Sequence, residues 1–351
     1  MPCQLISAKN ALIQSFVGLI NMNKIIWIFK SGNLVRSDNT LLLENNEGKK
    51  FLPVEGIDEI FLFGEVSLNT KLLNFISEKH IILHTFNYYG YYSGSYYPRE
   101  FMSSGEMIVR QVEKYTNSIE RVKLAKKIET GGTDNMLSVL NYYLLRGKEV
   151  EKQIELIKNL RDKFEEQDSP SKLMGIEGKI RDVYFSAFDN ITKNDTFKFE
   201  MRTRRPPLNE INAMISFGNS IMYTICLSEI YKTHLDPRIG FLHESNFRRF
   251  SLNLDIAEIF KPIIVDRLLL SMINEKIVSG KDFENSGGIV YMRDSCKREM
   301  INGIDKKLST TIKLKSLSHE VSYRRLIRME CYKIEKYLLG ESDYKPFHTS
   351  W

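Results

Sequence analysis

Two rhythms of hydrophobic and polar positions divide the chain. From Lys24 to Pro98, short apolar runs are cut by turn residues. Ile25-Ile26-Trp27-Ile28-Phe29 is β-branched and aromatic and stops at Ser31-Gly32, Leu41-Leu42-Leu43 stops at Asn45-Asn46-Glu47-Gly48, and Ile57 to Phe63 stops at Gly64. Each run predicts a strand. Leu68, Leu72, Leu73, Phe75 and Ile76 recur near the 3.6-residue period and predict a helix, after which Ile81-Ile82-Leu83 predicts a buried strand. The segment Tyr88 to Tyr97 carries six tyrosines around Gly90 and Gly94 and predicts a glycine-turned hairpin. Its rings suit stacking on bases, burial in a dimer, or a plain β-edge with amphipathic tyrosines.

Beyond Pro98 the period lengthens. Ile108 to Ile128 predicts a helix broken at Gly131-Gly132, Leu137 to Leu145 a second and Val150 to Phe164 a third. Asp168-Ser169-Pro170-Ser171 is a helix start, with Ser and Asp as capping candidates. The expected fold class is α+β: a small β-rich N-terminal domain over residues 22–100, then a larger all-helical domain over residues 101–351. Ala11 to Ile20 is apolar but too short to cross a bilayer and lacks a small-residue cleavage site, so neither a signal peptide nor a membrane anchor is expected. Residues 1–21 read as an extension outside the fold.

Composition narrows the class. At 351 residues, 42% hydrophobic and 27% charged, the chain is no disordered polymer, collagen or polytopic membrane protein. Its net charge of +6 is unevenly placed: residues 1–100 carry 9 Lys and Arg against 9 Asp and Glu, and the remainder 41 against 35. A surplus confined to the helical part favours a polyanionic partner there. Cys3, Cys226, Cys296 and Cys331 are too scattered for a CxxC pair and read as reduced thiols of a cytoplasmic protein.

Phosphate-binding glycine loops, GxSxG and HExxH are all missing. His84 falls in a strand and reads as a core residue. His243 lies where the helical pattern is interrupted, in Gly240-Phe241-Leu242-His243-Glu244 after Asp236-Pro237. Asp255 and Glu258 follow, three residues apart and so on one helix face. A loop histidine with two such carboxylates makes a divalent-metal pocket, although acidic pairs at this spacing are more often solvated surface. Glu177 lies beside an apolar stripe of Met174, Ile176, Ile180, Val183 and Tyr184, with Gly178 leaving room for a close neighbour or, equally, marking an exposed flexible turn. Arg202, Arg204 and Arg205 precede Pro206-Pro207 at a helix start, a setting suited to phosphate, and Arg248-Arg249 adds two more arginines. A metal site flanked by arginines suggests phosphodiester chemistry.

The order Met-Gly-Ile-Glu177-Gly, then Arg204-Arg205-Pro206-Pro207 with Asn212-Ala213, then Asp236 to His243, then Leu254-Asp255-Ile256-Ala257-Glu258-Ile259-Phe260-Lys261-Pro262 closely resembles the CRISPR-associated endonuclease and integrase family of spacer acquisition. Phe63-Gly64-Glu65-Val66 and Phe86-Asn87-Tyr88-Tyr89-Gly90 extend the likeness to the first domain. The resemblance implies a homodimer built by the β-rich domain. It implies Glu177, His243 and Glu258 as ligands of one Mn²⁺ or Mg²⁺ ion, with Asp255 behind them. It implies insertion of protospacer DNA into a repeat array by 3′-hydroxyl attack, or hydrolysis when water attacks. The implied partners are double-stranded DNA and a small Cas-two-type protein in a heterohexameric complex. Arg202, Arg204, Arg205, Arg248, Arg249 and Lys261 are candidate phosphate contacts, although Lys261 equally suits capping its own helix. The alternatives are a catalytically inactive DNA-binding scaffold of this fold and a transposon-borne integrase of the same family.

Overall fold

The computed structural model describes residues 19–22, 25–98, 102, 104–245, 250–314 and 320–349. They fall into two compact units that divide between residues 101 and 102.

The first unit holds two sheets and one helix. Strands β1 (Leu19–Met22), β2 (Ile25–Ile28), β6 (Glu59–Leu62), β8 (Ile82–Phe86) and β9 (Tyr92–Tyr96) form one sheet in that order. Its three middle strands run parallel, and both edge strands are antiparallel to their neighbours. Strands β3 (Gly32–Ser37), β4 (Thr40–Asn45), β5 (Gly48–Pro53) and β7 (Val66–Leu68) form the second, in the order β5-β4-β3-β7. Helix α1 (Thr70–Glu78), capped by Asn69 accepting from the Leu72 amide, supplies Leu72, Phe75 and Ile76 to the core. Side-chain alternation sends Ile26, Ile28, Ile60 and Leu62 into that core. Trp27 and Phe61 turn to the opposite face, where their ring centroids lie 4.3 Å apart. His84 is fully buried there and bonds the Ser95 hydroxyl through Nδ1 at 2.6 Å, as a core histidine should.

Two expectations change in this unit. Leu19 to Met22 pairs with Ile28 to Ile25, so residues 19–21 belong to the sheet and not to an extension outside it; the added strand covers the open edge of β2. The tyrosine hairpin also shifts, because its first arm is β8. Its turn runs from Asn87 to Tyr91, with Gly90 at φ +82° and the Asn87 side chain accepting from the Tyr89 and Tyr91 amides.

The second unit is mostly helical, with α2 (Gly105–Thr116), α3 (Ser118–Leu144), α4 (Glu151–Asp162), α5 (Pro170–Thr192), α6 (Glu210–Tyr231), α7 (Leu252–Lys261), α8 (Arg267–Asn274), α9 (Asp294–Ser309) and α10 (Tyr323–Leu338). It is not all helical: β10 (Phe283–Ser286) pairs with β11 (Ile289–Met292), and β12 (Thr311–Lys313) with β13 (Glu320–Ser322). The glycine pair does not break a helix either. The break falls at Asn117, whose side chain caps α3, and α3 runs unbroken through Gly131-Gly132. A Cβ at Gly132 would lie 3.0 Å from the Glu258 carbonyl oxygen, and one at Gly131 would lie 2.5 Å from Pro346 Cβ. The glycines let α7 and the C-terminal residues approach α3 more closely than any side chain permits. Among the described residues, no helix is long and apolar enough to cross a membrane.

Candidate metal and phosphodiester site

Helix α5 starts where its signals place it, with Ser169 accepting from the Lys172 amide and Pro170 in the first turn. Its buried face is Leu173, Ile180, Tyr184, Phe188 and Ile191. Met174, expected on that face, is 37% exposed, and a Cβ at Gly178 would meet nothing within 4 Å, so no close neighbour lies there. Glu177 sits at the margin of the buried face. One turn on, Arg181 is buried, and its guanidinium joins two helices: Nε pairs with Glu177 Oε1 and Nη2 with Glu258 Oε2 of α7. Glu258 also receives Lys261, whose Nζ lies 2.5 Å from Oε1 and 3.3 Å from the Tyr223 hydroxyl.

His243 reaches the site from the loop between α6 and α7. Asp236 folds the loop's start by accepting from the Arg238 amide at 2.8 Å and pairing with the Arg238 guanidinium at 2.6 Å. Asp255, fully buried in the first turn of α7, gathers its end. Oδ2 accepts from the amides of Phe241 and Leu242 at 2.6 and 3.1 Å. Oδ1 accepts from the His243 amide at 3.0 Å and lies 2.8 Å from His243 Nδ1. A Cβ at Gly240 would lie 2.9 Å from Asp255 Oδ2, so only glycine lets the loop wrap that carboxylate. With Nδ1 taken, His243 has Nε2 left to offer as a donor.

Helix α7 is held from behind. After Lys261 it passes into a π turn, Pro262–Asp266, and Pro262 has no amide to donate. Asn135 Nδ2 donates to the Ile259 carbonyl at 2.9 Å and to the Phe347 carbonyl at 3.1 Å. Phe347 stacks on Phe260, ring centroids 5.7 Å apart.

Electrostatics set this cluster apart. Burial raises Glu177's pKa, but the Arg181 guanidinium, then Lys261, outweigh it and hold the carboxyl below its ordinary value. Glu129 of α3 is fully buried and its pKa is driven well up, by burial and then by the negative charge of Glu177. Burial pushes Asp266 up to about 6, against the pull of Arg181 and Lys261. Two carboxylates from different helices meet at one guanidinium, and carboxylate oxygen is the ligand type that Mn²⁺ and Mg²⁺ take. As placed, no three His, Cys, Asp or Glu side chains among the described residues stand close enough to hold an ion. Arg181 lies between the carboxylates.

The family model described as CRISPR associated protein Cas1 matches residues 26–306. A protein of Thermodesulfovibrio yellowstonii called CRISPR-associated endonuclease Cas1 2 is 51% identical over 330 residues, 94% of this chain and 100% of the relative. The chain belongs to the Cas1 family. A solved Cas1 structure from Thermotoga maritima superposes with a TM-score of 0.84 at 43% identity, covering 93% of this chain and all of that one. A casposase bound to integration product shares the fold, with a TM-score of 0.81 at 20% identity and 92% of each chain covered.

Within this Cas1 fold the expected phosphate contacts divide. Arg204 and Arg205 are exposed on the turn before Pro206. Arg202 faces inward, bonding Asn212 Oδ1 at 2.8 Å and the Ser216 hydroxyl at 2.9 Å. Asn212 also holds the Thr203 amide and the Met201 carbonyl, tying the arginine turn to α6. Helix α6 itself starts only at Glu210, capped by Asn209. Lys261 is 3% exposed and pairs with Glu258. Arg248 and Arg249 lie outside the described residues. Sequence reasoning missed Arg181, Tyr223, Glu129 and Asp266. Arg181 had a signal, four residues from Glu177 on the same face; Glu129 and Asp266 had none.

Proposed function

We propose that the protein is a metal-dependent DNA endonuclease and integrase of CRISPR spacer acquisition, joining a protospacer 3′ end to a phosphodiester of the repeat. The carrying observation is the convergence of Glu177 and Glu258 from two helices on the Arg181 guanidinium, with His243 fixed at Nδ1 by Asp255 of the same helix as Glu258. Glu177, Glu258 and His243 Nε2 would hold one Mn²⁺ or Mg²⁺, which would supply Lewis-acid polarisation of the scissile phosphate and stabilise charge on the leaving oxygen. Asp255 holds the Nδ1 side of His243 and so leaves Nε2 for the ion. Integration forms a bond from the protospacer 3′-oxygen to phosphorus and breaks the bond to the repeat strand's 3′-oxygen, which leaves with a proton. When water attacks, the same site cuts. The exposed Arg204 and Arg205 contact duplex phosphate. The β-rich unit builds a homodimer that assembles with a small Cas2-type partner. Cytoplasmic action is in keeping with the free, buried thiols of Cys226, Cys296 and Cys331.

Joining of a labelled duplex to a repeat-bearing plasmid with Mn²⁺ tests this. Glu177→Gln and His243→Ala should abolish the product while leaving the melting temperature within a few degrees. Joining at the parent's rate by both variants would reduce the cluster to a structural feature of a DNA-binding scaffold.

A further inference from the structure

The carboxylates that would hold an ion already hold a cation of the protein's own. Arg181 is buried, and its guanidinium forms ion pairs with Glu177 of α5 and with Glu258 of α7. A guanidinium and a divalent ion cannot share that point: both need the same carboxylate oxygens, and both are positive. Burial opposes the guanidinium's charge, and Glu177, with Tyr223 and Asp266 after it, more than offsets this. A charged arginine moved off the carboxylates therefore needs another buried anion. One stands ready. Asp266, in the π turn that continues α7, is 1% exposed, with the Tyr184 hydroxyl beside its carboxylate. The first charge acting on Asp266 is that of Arg181.

We propose that Arg181 is a resident cation of the metal site, which a divalent ion must displace and which swings to Asp266 when the ion enters. The inference rests on the reading of Glu177 and Glu258 as ligands. In the free protein Arg181 keeps the two carboxylates paired and α5 joined to α7. On metal entry the ion takes over that link, and the Arg181–Asp266 pair neutralises the charge left over. The apparent metal affinity is thus the intrinsic affinity reduced by the work of displacing the guanidinium.

Calorimetric Mn²⁺ titration of the full-length protein without DNA tests this, with a readout independent of activity. Arg181→Gln should bind Mn²⁺ at least about tenfold more tightly than the parent, since the competitor is gone. Asp266→Asn should bind several-fold more weakly, and the double variant should match Arg181→Gln, because Asp266 acts only through Arg181. Equal or weaker binding by Arg181→Gln would overturn the proposal, making Arg181 a support for the ligands. If Arg181→Gln does not fold, Arg181→Lys replaces it: a single ammonium cannot span both carboxylates and should also bind more tightly than the parent. Independently, the Arg181 Nε–H signal in ¹⁵N-arginine spectra should move on Mg²⁺ saturation, and a stationary signal would count against displacement. Glu177→Gln separates the two readings. If it leaves the parent's Mn²⁺ binding unchanged, the ligand assignment fails; if it abolishes binding while Arg181→Gln changes nothing, only the displacement fails.

Discussion

Two glutamate–arginine clusters among the described residues of the helical unit are built on opposite principles. Around Glu229 of α6 the charges close. Oε1 takes Arg324 Nε at 2.9 Å and Lys232 at 3.3 Å, and Oε2 takes Arg328 Nε at 2.7 Å, so both oxygens are satisfied and α6 is fastened to α10. Around Glu177 the charges do not close. Glu258, Glu129 and Asp266 compete for Arg181 and Lys261, and Glu129 Oε1 finds no hydrogen-bond donor among the described residues. Buried charge alone does not mark a site, because structure uses it as readily. A surplus of carboxylates, retained despite its cost, marks a place that expects another cation.

The sharpest way to break the contrast is to neutralise one glutamate in each cluster. Glu258→Gln should cut DNA joining by about 10³-fold, the loss expected when electrostatic stabilisation of the transition state disappears, with little loss of stability. Glu229→Gln should do the reverse, costing about 3–5 kcal/mol in urea unfolding while each folded molecule joins DNA normally. Equal behaviour of the two variants would erase the distinction.

A smaller effect comes from the space that brings the helices together. Gly132→Ala should cost about 1–3 kcal/mol, because its Cβ presses on the backbone of α7. It should also slow joining by displacing Glu258, whereas the same substitution at the open Gly178 should leave stability unchanged.

A pH series tests the surplus itself. Asp266 has a folded pKa of about 6, above the ordinary value of about 3.9 in an unfolded chain. Folding therefore favours its protonated form; the penalty is absent below about pH 4, grows through the interval and is complete above about pH 6. Asp266→Asn should stabilise the metal-free protein by about 1–3 kcal/mol at pH 7, and the gain should vanish by about pH 4. The smallest change is expected outside both clusters: Arg204→Ala or Arg205→Ala should lower the salt slope of duplex binding by about 1 at every sequence.

What could be read from the sequence followed the reach of each signal. Strand runs, the Ser169-Pro170 cap and the division into a β-rich and a helical part depend on neighbours within a few residues, and local patterns carry them. The Gly131-Gly132 pair misled because glycine serves two purposes. As a breaker it acts locally; as a spacer it answers to Pro346 and Glu258, which no window around residue 131 contains. Lys261 misled in the same way, since basic residues are usually solvated and only the packing of α7 shows this one buried. Glu177, His243, Asp255 and Glu258 were singled out by residue type and order, but Asp266 was invisible, because its role arises from a π turn and a guanidinium 85 residues upstream.

The clamp behind α7 has a consequence for how the protein is made. Asn135 binds the Thr349 amide as well as the Ile259 and Phe347 carbonyls, and Pro346 fills the notch above Gly131. Every element that bears the site is therefore translated well before the residues that lock it in place. A nascent chain can carry Glu177, His243 and Glu258 clear of the ribosome and still lack a seated α7. An enzyme that cuts and joins DNA would thus stay inert until synthesis has passed residue 349, and a tag or truncation that disturbs residues 344–349 would disarm it without touching one of those three side chains.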